Sequence, residues 1–195
     1  MTLQEFIAQA PRDVEWVFGY ASLMWAPGFR APEQAVATAH GYHRALCIYS
    51  HTHRGTPAVP GLVMGLCRGG ACRGVAFRLP AAGRRAVLEM LWRREMGNRV
   101  YQVRRLKLRL ADDRRVHGLA FVADPHHRQF AGDLRPARSA RLVAQGVGDR
   151  GPNIEYLDQT LAHMREIGVP DLRLEAVLER VRALHRRART GENRA

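Results

Sequence analysis

With 195 residues, 46% of them hydrophobic, the chain is long enough to close one core and too short to require two, so one domain over residues 1–195 is expected. No run of about 18 apolar residues could span a bilayer and no basic-then-apolar start resembles a signal peptide, which predicts a soluble cytoplasmic protein with no membrane role. The 31 Lys+Arg against 18 Asp+Glu give +13, nearly all of it arginine, but the excess is scattered without the interleaved aromatics of a single-strand platform, so charge alone does not assign nucleic acid as a partner.

In chain order, residues Thr2 to Ala10 read as a short helix, with Thr2 and Glu5 at capping-box spacing and Pro11 as its stop. "VEWVFGY" reads as a buried strand. After a loop come "AVATAHGYHRALCIYS", "GLVMGLCRGGACRGVAFRL", "YQVRRLKLRL" and "RRVHGLAFVAD", each rich in β-forming residues and separated by Gly/Pro turns. Short strands without regular intervening helices predict an α+β fold built on a small, mostly antiparallel, barrel-like sheet with flanking helices. In "YQVRRLKLRL", Val103, Leu106, Leu108 and Leu110 alternate with basic residues, although Arg104-Arg105 breaks strict period two. "PAAGRRAVLEMLWRREMG" has Val87, Leu88, Leu91, Trp92 and Met96 on one helical face, with Gly97 as its expected C-cap. From Ala137 on the chain reads as helical throughout: "SARLVAQGVG", "NIEYLDQTLAHMREIG" and a basic helix over 173–190, with "TGENRA" frayed at the end.

Few constellations here carry chemistry. "GVGDRG" has dinucleotide-site spacing at Gly146, Gly148 and Gly151, but it lacks the strand-to-helix context that lets amides meet a pyrophosphate, and a helix–helix turn is the reading adopted. His51 and His53 flank a turn and His126-His127 follow "ADP", with no HExxH or Cys/His grouping, so no metal site is assigned. Cys47, Cys67 and Cys72 form no CxxC pair and are read as reduced structural thiols. Glu95 lies one turn beyond Leu91, beside the apolar face. It is either a carboxylate raised in pKa by burial and fit to be a general base, or an exposed residue paired with a neighbouring Arg. The stretch "VFGYASLMWAPGF" stops a buried strand at Gly-Tyr-Ala-Ser, which either offers backbone N–H groups to a carboxylate or oxyanion or is a plain tight turn.

These residues resemble a family. "VFGYASLMWAPGF" is similar to the F-G-Y-G-S-L-[IV]-W signature of the ChaC-like γ-glutamylcyclotransferases, and four further stretches follow in the family's order: "GYHRALCIYSHTHRGTPAVPGLVMGL", "GGACRGVAFRL", "LWRREM" and "AQGVGDRGPNIEYLDQT". The resemblance runs from about residue 17 to 172 and implies the γ-glutamylcyclotransferase-like fold, with the basic C-terminal helix outside it. It implies a reaction without metal or diffusible cofactor, in which the α-amine of a γ-glutamyl group attacks its own γ-carbonyl. Glutathione would then release 5-oxoproline and Cys-Gly. By the same resemblance Glu95 is the base and then the acid. Gly19, Tyr20, Ala21, Ser22, Leu23 and Met24 form the substrate loop, and Arg44 and Tyr156 are further candidates for the pocket. Ala21 stands where the family has Gly, which would strain the chain by about 1 kcal/mol or more if that position needs φ > 0. A cyclotransferase for another γ-glutamyl amine, or a non-catalytic basic protein that binds RNA or an anionic partner, remains the alternative. A monomer or weak dimer is expected.

Overall fold

Thr2 and Glu5 close a reciprocal pair of hydrogen bonds, Glu5 N–H to Thr2 Oγ1 at 3.2 Å and Thr2 N–H to Glu5 Oε2 at 2.8 Å. This capping box satisfies two leading amides, and α1 (Leu3–Ala8) starts from it as its spacing predicts. The computed structural model describes residues 1–192. The last three residues of the expected frayed "TGENRA" lie outside the described residues. Two compact units divide the chain: Met1–Arg44 with Gly65–Arg128, and Ala45–Met64 with the residues from Gln129 onward.

The sheet comprises β1 (Trp16–Gly19), β2 (Gln34–Ser50), β3 (Gly61–Arg78), β4 (Tyr101–Leu110) and β5 (Arg115–Ala123). Their order is β1-β3-β2-β4-β5, and β5 meets β1 again to close a barrel. The fold is therefore α+β with a barrel-like sheet. The β1–β3, β2–β4 and β4–β5 pairs are antiparallel, while β5 runs parallel to β1 at Trp16↔Gly118 and to β3 at Leu66↔Val122. All four residues of β1 are buried, which is why that stretch reads as a continuous apolar run rather than an alternating one. In β4 the alternation holds: Val103, Leu106, Leu108 and Leu110 are buried, and the break at Arg104-Arg105 leaves both arginines exposed without interrupting the register with β5.

In the first unit α2 (Arg84–Glu95) packs on α1 with Leu88 and Leu91 buried. Its first residue, Arg84, donates to the carbonyls of Ala10, Pro11 and Val14, tying the exit of α1 and the approach to β1 to one guanidinium. The helix ends one residue earlier than its glycine suggests: Met96 is the C-cap, its N–H bonded to Trp92 O at 2.9 Å, and Gly97 plays no capping part.

In the second unit α3 (Pro136–Gln145), α4 (Asn153–Glu166) and α5 (Leu172–Glu192) pack pairwise. The chain is not helical throughout here. The "GVGDRG" stretch is a two-stranded hairpin, β6 (Val147–Gly148) and β7 (Gly151–Pro152), instead of a plain helix–helix turn. The amides of Asp149 and Arg150 donate to the carbonyls of Thr52 and His53, at 2.9 and 3.1 Å. A Cβ at Gly146 or Gly148 would collide with the Arg54 or Thr52 carbonyl, so these glycines serve a close backbone approach and not a phosphate. Asn153 is fully buried and clips Leu62 on both sides, accepting from its N–H at 2.6 Å and donating to its carbonyl at 2.8 Å. Cys47 and Cys72 are buried and Cys67 is half-buried. No helix among the described residues is long and apolar enough to cross a membrane.

Removing the Asn153 clip strands both Leu62 groups. Asn153→Ala should cost about 2–4 kcal/mol in urea unfolding, two hydrogen bonds plus the desolvation of their orphaned partners. A loss below about 0.5 kcal/mol would show that the clip is dispensable.

Candidate active site

β1 stops because its next residues are committed elsewhere. Tyr20 is buried, and its hydroxyl donates to Phe121 O at 2.7 Å, so its side chain belongs to the barrel wall. The backbone then swings through Ala21, at φ −141° and ψ −131°, into a single 3-10 turn over Ser22–Met24. The first bond of that turn runs from Met24 N–H to Ala21 O at 2.7 Å, and Ala26 N–H follows onto Ser22 O at 3.0 Å. The leading amides of Ser22 and Leu23 precede those bonds and make none among the described residues. Gly19 lets the turn fold back, since a Cβ there would lie 3.0 to 3.1 Å from Leu23 Cβ, Leu23 C and Met24 N. Leu23 and Met24 are themselves buried, so the turn is anchored from beneath.

Arg44 holds the other side of the turn. Its Nε donates to Tyr20 O, its Nη2 donates to Arg73 O at 2.6 Å, and the same nitrogen lies 3.9 Å from Met24 Sδ. Arg44 is thus a brace for the strand break.

Glu95 is the last residue of α2, and its side chain is only 15% exposed. Burial pushes its carboxyl above the usual glutamate range, and the adjacent guanidinium of Arg94, by charge and by hydrogen bond, restrains that rise. The Arg94 Nε lies 3.0 Å from Glu95 Oε1. Its remaining nitrogens reach the turn: Nη2 donates to Ser22 Oγ at 2.9 Å and Nη1 to Ala26 O. With an oxygen lone pair of Ser22 occupied by Arg94, the hydroxyl proton is left to point at an acceptor of its own. One carboxylate and one turn are therefore joined through a single side chain.

The structure brings Gly19, Tyr20, Ala21, Ser22, Leu23, Met24, Arg44 and Glu95 into one network within the first unit. Tyr156 belongs to the second unit, where its hydroxyl accepts from Met64 N–H at 3.1 Å and its ring lies under Arg54 at 5.6 Å. Arg94 was not among the residues expected from sequence; the one signal for it is its place immediately before Glu95 in "LWRREM". The negative φ of Ala21 answers the question of its substitution: the position does not need glycine's left-handed freedom. His53 pairs with Asp149 at 3.0 Å and His51 stacks on Tyr49, while the described residues hold no group of three or more His, Cys, Asp or Glu suited to a metal ion.

Two substitutions check this geometry. Gly19→Ala should cost about 1–3 kcal/mol through overpacking against Leu23 and Met24. Ala21→Gly should lower stability by about 0.5 kcal/mol, because it frees the unfolded chain and relieves no strain. Chemical denaturation of both reads the result, and a gain in stability from Ala21→Gly would contradict the backbone described.

The family model described as "ChaC-like protein" matches residues 15–184. A glutathione-specific gamma-glutamylcyclotransferase of Escherichia coli (strain K12) is 37% identical over 169 residues, covering 87% of this chain and 73% of the relative. The Homo sapiens glutathione-specific gamma-glutamylcyclotransferase 1 is 29% identical over 185 residues, covering 89% and 83%. Among solved structures, a γ-glutamyl cyclotransferase specific to glutathione from yeast superimposes with a TM-score of 0.79 at 22% identity, over 87% of this chain and 96% of that one, which establishes the shared fold. The match of the family model across most of the sequence, joined to these relatives, makes the chain a member of the ChaC-like family.

Proposed function

We propose that this protein is a glutathione-specific γ-glutamylcyclotransferase, a lyase that closes the γ-glutamyl group of glutathione to 5-oxoproline and expels Cys-Gly. The observation that carries the reading is Glu95, a largely buried carboxylate at the end of α2, bridged by Arg94 to the turn at Ser22. The names borne by the Escherichia coli and human relatives support glutathione as the substrate.

In this reading the α-ammonium of the glutamyl group gives up a proton to the Glu95 carboxylate. The freed amine attacks the γ-carbonyl carbon, a C–N bond forms, and the carbonyl oxygen becomes an oxyanion. The Ser22 and Leu23 amides and the Ser22 hydroxyl are the donors suited to that oxygen or to the glutamyl α-carboxylate. Collapse of the tetrahedral centre breaks the bond to the cysteinyl nitrogen, which takes its proton from Glu95. Overall, two protons leave the α-ammonium and both end on the expelled amine, so no water is consumed and side chains suffice to balance the reaction. A carboxyl held above its usual pKa suits both halves, because it is a stronger base while ionised and readily yields the proton it has gained. Three cysteines with no CxxC spacing suit a reducing compartment, and we place the reaction in the cytoplasm.

Purified protein incubated with reduced glutathione should release 5-oxoproline and Cys-Gly in equal amounts, and Glu95→Gln should lose at least about 10³-fold in kcat while remaining folded. Turnover retained in a folded Gln variant would refute the role of Glu95. Release from another γ-glutamyl amine but not from glutathione would move the reading to a different leaving group. The pH profile has a defined sign: Glu95 must be ionised to accept the proton, and its pKa is raised, so kcat/KM should fall as pH drops through a limb above the ordinary glutamate value. A limb at or below that value would contradict a desolvated base.

A further inference from the structure

We propose that Arg94 is a positioning residue that ties the state of the Glu95 carboxyl to the shape of the Ser22–Met24 turn, an inference that rests on the function proposed above. One planar guanidinium makes three contacts of different kinds: Nε on Glu95 Oε1 at 3.0 Å, Nη2 on Ser22 Oγ at 2.9 Å, and Nη1 on the Ala26 carbonyl. The fork fixes these directions relative to one another, so a shift in the turn is felt at Glu95 and the reverse. The turn is tailored to this side chain. Gly28, at φ +81°, brings the segment after Ala26 down onto α2, where a Cβ on Gly28 would lie 3.1 Å from Met90 Sδ and 4.0 Å from Arg94 Nη1.

The charged surroundings leave Arg94 as the group acting on Glu95. On α2, Arg84 is spent on carbonyls, Glu89 pairs with Arg93 at 2.6 Å, and Arg85 is exposed. Packed against α2, α1 carries Glu5, engaged by Thr2 N–H at 2.8 Å. Residues 21 to 28 hold no ionisable side chain, Arg44 is committed to the carbonyls of Tyr20 and Arg73, and Arg99 follows the helix exposed. The direction of the Glu95 shift, upward by burial and restrained by Arg94, agrees with this arrangement.

Two variants separate the charge from the fork. Arg94→Met keeps the stem and removes both. It should lose about 10²-fold in kcat and move the acidic limb of kcat/KM to higher pH, as the carboxyl loses the cation that restrains it. Arg94→Lys keeps the charge but cannot reach Glu95, Ser22 and Ala26 together. It should keep the limb near the native position while kcat still falls. Carbon NMR titration of the Glu95 carboxyl in the same proteins reads the coupling without turnover, and Arg94→Met should move that titration upward. If folded Arg94→Met leaves limb and titration unmoved, or Arg94→Lys shifts them as far as Met does, Arg94 is only structural and the inference is overturned. A native protein that makes no 5-oxoproline sinks the proposed function instead, and the carboxyl titration still decides on Arg94.

Discussion

A carboxylate that is 15% exposed is costly to ionise, and the structure keeps this one at the last residue of α2 with a single cation against it. Everything around Glu95 is arranged to make that position hold. Arg84 fixes the start of α2 to the carbonyls of Ala10, Pro11 and Val14. Leu88 and Leu91 bury its inner face. At its end, Arg94 bonds Glu95, Ser22 and Ala26. The opposite side of the turn is braced by Arg44 through the carbonyls of Tyr20 and Arg73. Glu95 and the Ser22–Met24 turn therefore sit on a scaffold held by Arg94 and Arg44, the preorganisation that the proposed chemistry requires.

The arginine excess takes on a different meaning in this light. Arg44, Arg54, Arg84 and Arg94 all donate to backbone carbonyls. Such carbonyls collect wherever a strand stops early, a short helix ends or a hairpin is laid against a loop, and a planar fork of five donors can satisfy several at once, which a lysine cannot. Part of a charge of +13 that reads as an invitation to polyanions is thus internal carpentry.

The parts of the fold that follow from local rules were legible in the sequence. The capping box at Thr2 and Glu5, the unbroken apolar run of β1 and the face carrying Leu88 and Leu91 each have a one-dimensional signature, and the helices and barrel-like sheet could be read from them. For Glu95 periodicity left two readings open, a buried carboxylate fit to be a base or an exposed partner of a neighbouring arginine; the side chain is largely buried and yet paired with Arg94, whose charge offsets part of the burial. What could not be read depends on contacts distant in sequence. The Arg94 bonds cross 68 to 72 residues, and the Asn153 clip crosses 91. The glycines of "GVGDRG" fit several roles until the backbone of residues 52–54 lies against them. The dihedral angles of Ala21 likewise had no signature in a residue that tolerates most conformations.

The central claim is ring closure by the substrate's own amine, with water taking no part. The direct measurement is turnover of glutathione in oxygen-18 water, with mass spectrometry of the products. Ring closure predicts 5-oxoproline and Cys-Gly in which neither carries oxygen from the solvent. Glutamate bearing one solvent oxygen would mean hydrolysis of the γ-glutamyl bond, and would contradict the assignment of Glu95 and the Ser22 turn to an intramolecular reaction.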